Sequence, residues 1–166
     1  MMSSSQLEAF EIGRVSQAVR QQFGDTPFGR GCLAAARLVE VGVRCVEVTL
    51  RGWDTHINNH EKHGELNAVL DMAMSALLDR LQEKNLLQHT VVLWGGEFGR
   101  TPKINKRAAR DHWPRCYFSM WAGAGIEPGR VIGESDARGE DPVTDPITPL
   151  MAGTTVAELC GVTAQQ

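Results

Sequence analysis

A chain of 166 residues with 42% hydrophobic content can bury one ordinary core, and its length argues for a single domain. With Lys+Arg 17 against Asp+Glu 20 the net charge is -3, which leaves no global basic field to hold nucleic acid or an anionic membrane surface. No apolar run approaches the roughly 20 residues that span a bilayer, since Val43–Leu50 is short and carries Arg44 and Glu47.

The first stretch, residues 1–28, is polar and weakly periodic, with turn formers at Gly24, Asp25 and Pro27, and reads as an irregular lead-in. Its opening, MMSSSQLEAF, has neither the basic nor the apolar region of an export signal. From about Arg30 to Val41 helix formers dominate, and Gly42 stands where a left-handed residue would close the helix. Val43–Leu50 (VRCVEVTL) follows as a β-branched strand that ends at Arg51-Gly52, where the polar cluster WDTHINNHEKH begins. Leu66, Val69, Leu70, Ala73, Leu77 and Leu81 recur at three- and four-residue steps and predict a helix from about Gly64 to Lys84, with Asn85 as its stop.

Thr90–Trp94 (TVVLW) is a second short apolar strand that ends in the glycine-containing turn GGEFGRTP. Strand, helix and strand in this order predict a parallel βαβ unit. Cys116–Ala122 is a third strand candidate, and residues 123–146, rich in Gly, Asp and Pro, predict an excursion over the surface. Thr148-Pro149 before LMAGTTVAELC matches a capping residue followed by proline at the first helical position, with Gly161 closing the last helix. Cys32, Cys45, Cys116 and Cys160 are far apart and form no C-x-x-C pair, so they are expected to be buried reduced thiols.

In an open parallel sheet, ligands bind beyond the carboxyl ends of the strands, and both polar clusters fall there. A third cluster, RDHWP, occupies the next loop. Together the loops supply Asp54, His56, Glu97, Asp111 and His112, a mixture of carboxylate oxygens and imidazole nitrogens that suits zinc, manganese or iron. Five donors fill one site or share two, and paired cations about 3.5 to 4 Å apart are the arrangement used for phosphoryl transfer.

Arg100 directly follows the Glu97 turn, and with Thr101 and Asn59 it is the candidate for holding an anionic substrate. The neighbouring Lys103, Lys106, Arg107, Arg110 and Arg115 read more simply as a solvated basic loop. His60 and His63 are secondary ligand candidates, with solvent exposure as the plainer reading. Trp53 and Trp113 flank candidate ligands and either wall the site or pack.

The segments GWDTHINN, TVVLWGGEFGRTPKIN, RDHWPRCYF, EPGRVIGESDARG and ITPLMAGTTVAELCGV, in this order, resemble the bacterial family called domain of unknown function 1501, from about Phe28 to the end. That family resembles a sulfatase-like branch of the alkaline phosphatase superfamily. The resemblance implies an α/β fold, a parallel-sheet α/β/α sandwich of which this chain is the carboxy-terminal portion, residues 29–166. It implies a metal-dependent hydrolase of phosphate or sulfate esters, with Asp54, His56, Glu97 and His112 as ligands and Asp111 serving either metal. The cofactors implied are divalent ions, zinc ahead of manganese, calcium or iron. The substrate would be a small-molecule or glycan ester, with a homo-oligomer as an open alternative.

Two departures accompany the likeness. Many superfamily members have an Asp-His pair where this chain has Glu97-Phe98. They also place a nucleophile in an amino-terminal half, and Ser3, Ser4, Ser5 and Ser16 lie in sequence too weakly patterned to supply one. A non-catalytic module that binds a metal or an anionic glycan is therefore the competing expectation. Full-length relatives look exported, often behind a twin-arginine type signal, and no such signal is present in this sequence.

Overall fold

The computed structural model describes residues 4–96 and 98–162. The chain divides into two compact units, Met1–Leu87 and Gln88–Gln166. In the first, the expected irregular lead-in contains two short helices, α1 (Ser4–Ala9) and α2 (Gln17–Gln22). The longer helices α3 (Pro27–Glu40) and α4 (Asn59–Glu83) form its body.

Helix α3 begins where Thr26 accepts a hydrogen bond from the Gly29 amide at 3.0 Å, with Pro27 at the first helical position. Gly29 admits no side chain, because a Cβ there would stand 2.1 Å from the Phe23 carbonyl oxygen of the preceding turn. The helix ends on a left-handed Gly42 (φ 81): Gly42 donates to Val39 and Val43 donates to Leu38, each at 3.0 Å. Asn85 (φ 56) ends α4 by the same device, with Asn85 donating to Gln82 and Leu86 to Leu81. The predicted stop at Asn85 is thus met, whereas α4 starts earlier than the apolar stripe implied and takes in His60 and His63.

The core of this unit gathers Phe23, Phe28, Cys32, Leu33, Ala36 and Leu38 with Leu70, Ala73 and Leu81 of α4. At its rim Arg80 of α4 meets Glu40 of α3 at 2.8 Å. Arg37 donates to the Glu8 and Glu11 carbonyls, each at 3.0 Å, in addition to the bonds these accept from the Glu11 and Arg14 amides, and so ties the first turns to α3.

The second unit has two small sheets. Strand β1 (Val92–Gly95) pairs antiparallel with β4 (Ser119–Ala122), Val92 opposite Ala122 and Gly95 opposite Ser119. Between them β2 (Gly99–Arg100) pairs antiparallel with β3 (His112–Trp113). Residues 123–146 are largely irregular, as their composition predicts, with an isolated bridge between Ser135 and Pro142. Helix α5 (Pro149–Leu159) is capped by Thr148, which accepts from the Met151 amide at 3.2 Å, and closes on Gly161 (φ 80).

The expected parallel-sheet α/β/α sandwich is therefore incorrect: the fold is mixed, with helices and two antiparallel two-stranded sheets. Val43–Leu50 has the alternating burial of a strand but no ladder partner among the described residues, and β1 pairs with β4 instead. Alternation selects an extended conformation without selecting a neighbour, and an antiparallel neighbour needs only a returning loop. Helix α4, expected as the crossover helix of a βαβ unit, packs on helix α3. No helix among the described residues is long and apolar enough to cross a membrane.

Candidate functional site

In the first unit Asp54 and His56 stand on the loop that leads into α4. The Asp54 carboxylate Oδ1 and His56 Nδ1 are 3.7 Å apart, and both side chains are more than half exposed, at 66% and 53%. His56 Nδ1 also lies 3.3 Å from the Asp54 carbonyl oxygen, a bond the ring gives up when Nδ1, unprotonated, serves as the ligand atom and Nε2 carries the proton. Two atoms bound to one zinc at about 2.1 Å and a tetrahedral angle are roughly 3.4 Å apart, so a small adjustment would let this pair share a cation. Zinc takes at least three protein ligands, so these two groups alone would not complete a zinc site.

The loop is held from beneath by a polar knot. Thr55, between the two donors, is 5% exposed, and Asn59, in the first turn of α4, is 6% exposed. Asn59 Nδ2 donates to Thr55 Oγ1 at 2.8 Å. His63 Nε2 is 3.1 Å from the Trp53 carbonyl, 3.2 Å from Thr55 Oγ1 and 3.2 Å from Asn59 Nδ2. The Trp53 carbonyl, the shortest of these contacts, can only accept, which assigns the proton to Nε2 of His63; the Asn59 amide nitrogen, itself a donor, then serves Thr55 and not the imidazole. The Trp53 and His63 rings meet edge to face with centroids 5.2 Å apart, so of its two readings Trp53 takes packing.

Asn58 turns the chain into the helix with a left-handed backbone (φ 51, ψ 46). His60 is exposed, but His63 is half-buried and lies at the centre of the knot, where the sequence reading favoured solvent. Asn59 and His63 stand four residues apart on α4, the spacing that sets polar groups on one helical face, and this signal could have singled out His63.

In the second unit Arg100 and His112 are directly opposite across the β2–β3 pair, so their side chains leave from the same face. The Phe98 ring lies on that face, with its centroid 4.1 Å from that of His112 and the Arg100 guanidinium 6.0 Å from it. Arg100 donates to the Arg110 carbonyl at 3.0 Å. Asp111, the neighbour of His112, turns to a different partner and accepts from Asn105 Nδ2 at 3.0 Å. Thr101 is built into the hairpin: its amide donates to the Asp111 carbonyl at 2.9 Å, and its hydroxyl donates to Lys103 and accepts from the Asp111 amide.

Asn105 organises the loop between β2 and β3, its Oδ1 accepting from the amides of Arg107 and Ala109. Arg110 donates to the Thr101 and Pro102 carbonyls. Part of the basic run thus stabilises the loop itself. Trp113 donates its indole N–H to the Glu140 carbonyl at 2.7 Å, and Arg115 pairs with Asp141 at 2.6 Å. Glu97, expected as the acidic ligand of the second loop, lies outside the described residues.

The cysteines are free, and the expectation that they are buried holds for Cys32 alone in full. Burial pushes the Cys32 thiol up to about 11, while Cys45 and Cys160 are exposed. Asp136 accepts from the amides of Glu140 at 2.8 Å and Arg138 at 3.1 Å, and these bonds hold its carboxyl below the usual range.

The profile of the family described as protein of unknown function (DUF1501) matches residues 1–166. The chain belongs to that family. No curated protein and no solved structure matches this DUF1501 chain. The motif order that suggested the family is therefore upheld over the whole sequence, and the Asp54–His56 loop and the β2–β3 hairpin are features of a DUF1501 protein.

Proposed function

We propose that this DUF1501 protein is a metal-dependent hydrolase of small-molecule or glycan phosphate or sulfate esters. The observation that carries the reading is the exposed Asp54–His56 pair, a carboxylate and an imidazole 3.7 Å apart on a loop fixed by buried hydrogen bonds. Its motifs support a relation to the sulfatase-like branch of the alkaline phosphatase superfamily through their order, with no support from the sheet. Asp54 and His56 would hold a divalent cation, zinc ahead of manganese, calcium or iron. Glu97 and His112 are proposed as further ligands, and Asp111 as a bridging or orienting group. A cation so held would neutralise charge on the ester oxygens. Arg100 would hold the anionic group, while Asn59 and Thr101, both engaged in internal hydrogen bonds, position their loops.

A second reading, a non-catalytic module that binds a metal or an anionic glycan, is favoured by the placement of hydroxyls. Thr55, between the two donors, is buried and bonded to Asn59, and Ser16 caps α2 by accepting from Val19. Neither is presented as a nucleophile.

Elemental analysis of the zinc-loaded chain, set beside turnover of aryl phosphates and aryl sulfates, tests both. Near-stoichiometric metal is expected, falling at least tenfold in Asp54→Ala and His56→Ala, with the same loss in Glu97→Ala and His112→Ala if they are ligands. Unchanged metal content in Asp54→Ala and His56→Ala would remove the site. Metal retention without turnover of either ester class would leave the binding module.

A further inference from the structure

From Cys45 to Leu50 the chain of the first unit alternates strictly: Val46, Val48 and Leu50 are half-buried, and Cys45, Glu47 and Thr49 are exposed, as is Arg51 beyond them. The covered face is fixed by a close approach to α3, where a Cβ on Gly31 would stand 2.7 Å from Val48 Cγ1. Side-chain parity is therefore set, as in a strand of a packed sheet. Yet among the described residues no backbone amide or carbonyl from Arg44 to Gly52 takes part in a hydrogen bond. Proteins commonly guard such an edge with proline, a bulge or charge of one sign; RCVEVTLRG has no proline, and its charges, Arg44, Glu47 and Arg51, are of both signs.

What the edge fits is set by its own sequence. Laid antiparallel against itself about Thr49, Glu47 faces Arg51 of the second copy and Arg51 faces its Glu47. Thr49 faces Thr49, and Val48 faces Leu50 on the apolar side. Opposite charges, threonine pairs and aliphatic pairs are each favourable directly across a ladder. Centring on Val48 instead sets Glu47 against Thr49 and Arg51 against Cys45, and centring on Glu47 sets that carboxylate against itself. A one-residue slip would turn Val48 to the polar face. We propose that Glu47–Arg51 is a dimer edge at which a second copy of this chain adds an antiparallel strand about a two-fold axis at Thr49. The inference is independent of the hydrolase reading.

Sedimentation and site-directed cross-linking of the full chain test it, with far-UV circular dichroism to show that each variant folds. The wild type is expected to dimerise with concentration. Glu47→Arg and Arg51→Glu should each weaken the dimer on the order of tenfold, since the two-fold axis repeats every altered pair, and the double variant should restore it. With Cys45, Cys116 and Cys160 replaced by serine, Thr49→Cys should cross-link to a dimer under mild oxidation. Glu47→Cys should not, because four residues of offset separate its sulfurs by about 14 Å. A wild type that stays monomeric, as it would if the edge serves a different polypeptide, overturns the proposal. So does a dimer indifferent to the charge exchanges, or one that cross-links as readily through position 47 as through 49.

Discussion

The two units hold themselves together by different means. Among the described residues the buried hydrophobic side chains lie before residue 88, with Ala109 as the exception. The first unit is an apolar assembly of helices with a small buried polar knot. The second relies on side chains that hydrogen-bond to backbone, such as Asn105, Arg110, Trp113 and Asp136, while Phe118, Val131 and Leu150 remain exposed at 69%, 92% and 79%. Apolar burial is cooperative and roughly proportional to area, whereas each polar clasp contributes about 1 kcal/mol and acts locally. The candidate donors are divided in the same way: Asp54 and His56 ride on a packed scaffold, and Asp111 and His112 on a hydrogen-bonded hairpin.

Core truncation should separate the two units most sharply. Leu33→Ala or Leu81→Ala, at side chains 2% exposed, is expected to cost about 2–5 kcal/mol in denaturant unfolding. Leu150→Ala, at an exposed position of α5, should stay within about 0.5 kcal/mol. Equal losses would show that the second unit depends on apolar packing after all.

A smaller effect is expected from the polar knot. Asn59→Ala leaves the buried Thr55 hydroxyl short of its donor and should cost about 1–3 kcal/mol. If the Asp54–His56 loop depends on the knot, metal retention should fall as well, read by elemental analysis. Asn105→Ala should cost about 1 kcal/mol and should raise amide exchange between Thr101 and Asp111 while leaving α3 and α4 protected. Exchange that rises equally in both regions would contradict the local character of the clasp.

The smallest effects are chemical. Because burial raises the folded-state pKa of Cys32, the contribution to stability is fully present below the unfolded value near 9 and is lost as pH rises through about 11. At pH 8 a thiol reagent should modify Cys160 in the native protein and reach Cys32 only on unfolding, and prompt native labelling of Cys32 would refute its burial. Asp136 has the opposite sign: its depressed folded-state pKa gives a contribution present above the ordinary carboxylate range and lost as pH falls through the folded value. An NMR titration should place its midpoint below 3.8, and Asp136→Asn should flatten that acid limb.

Local signals in the sequence determined where α3, α4 and α5 stop and where α5 starts, because each is written in adjacent residues, whereas α1, α2 and the early starts of α3 and α4 lie outside what its patterning predicts. Thr148-Pro149 starts α5, and Gly42, Asn85 and Gly161 supply the left-handed residue that ends the three. The sequence also marked Asp54 and His56 as neighbours, since one residue separates them on a loop. Strand pairing was left to tertiary structure: periodicity makes Val43–Leu50 and Val92–Gly95 extended, but partners are chosen by loop closure and by what covers each face. His63 shows the same limit on a smaller scale. Its identity permits a ligand, a solvated ring or a structural donor, and only the arrival of the Trp53 carbonyl and the Thr55 hydroxyl at one nitrogen made it the third.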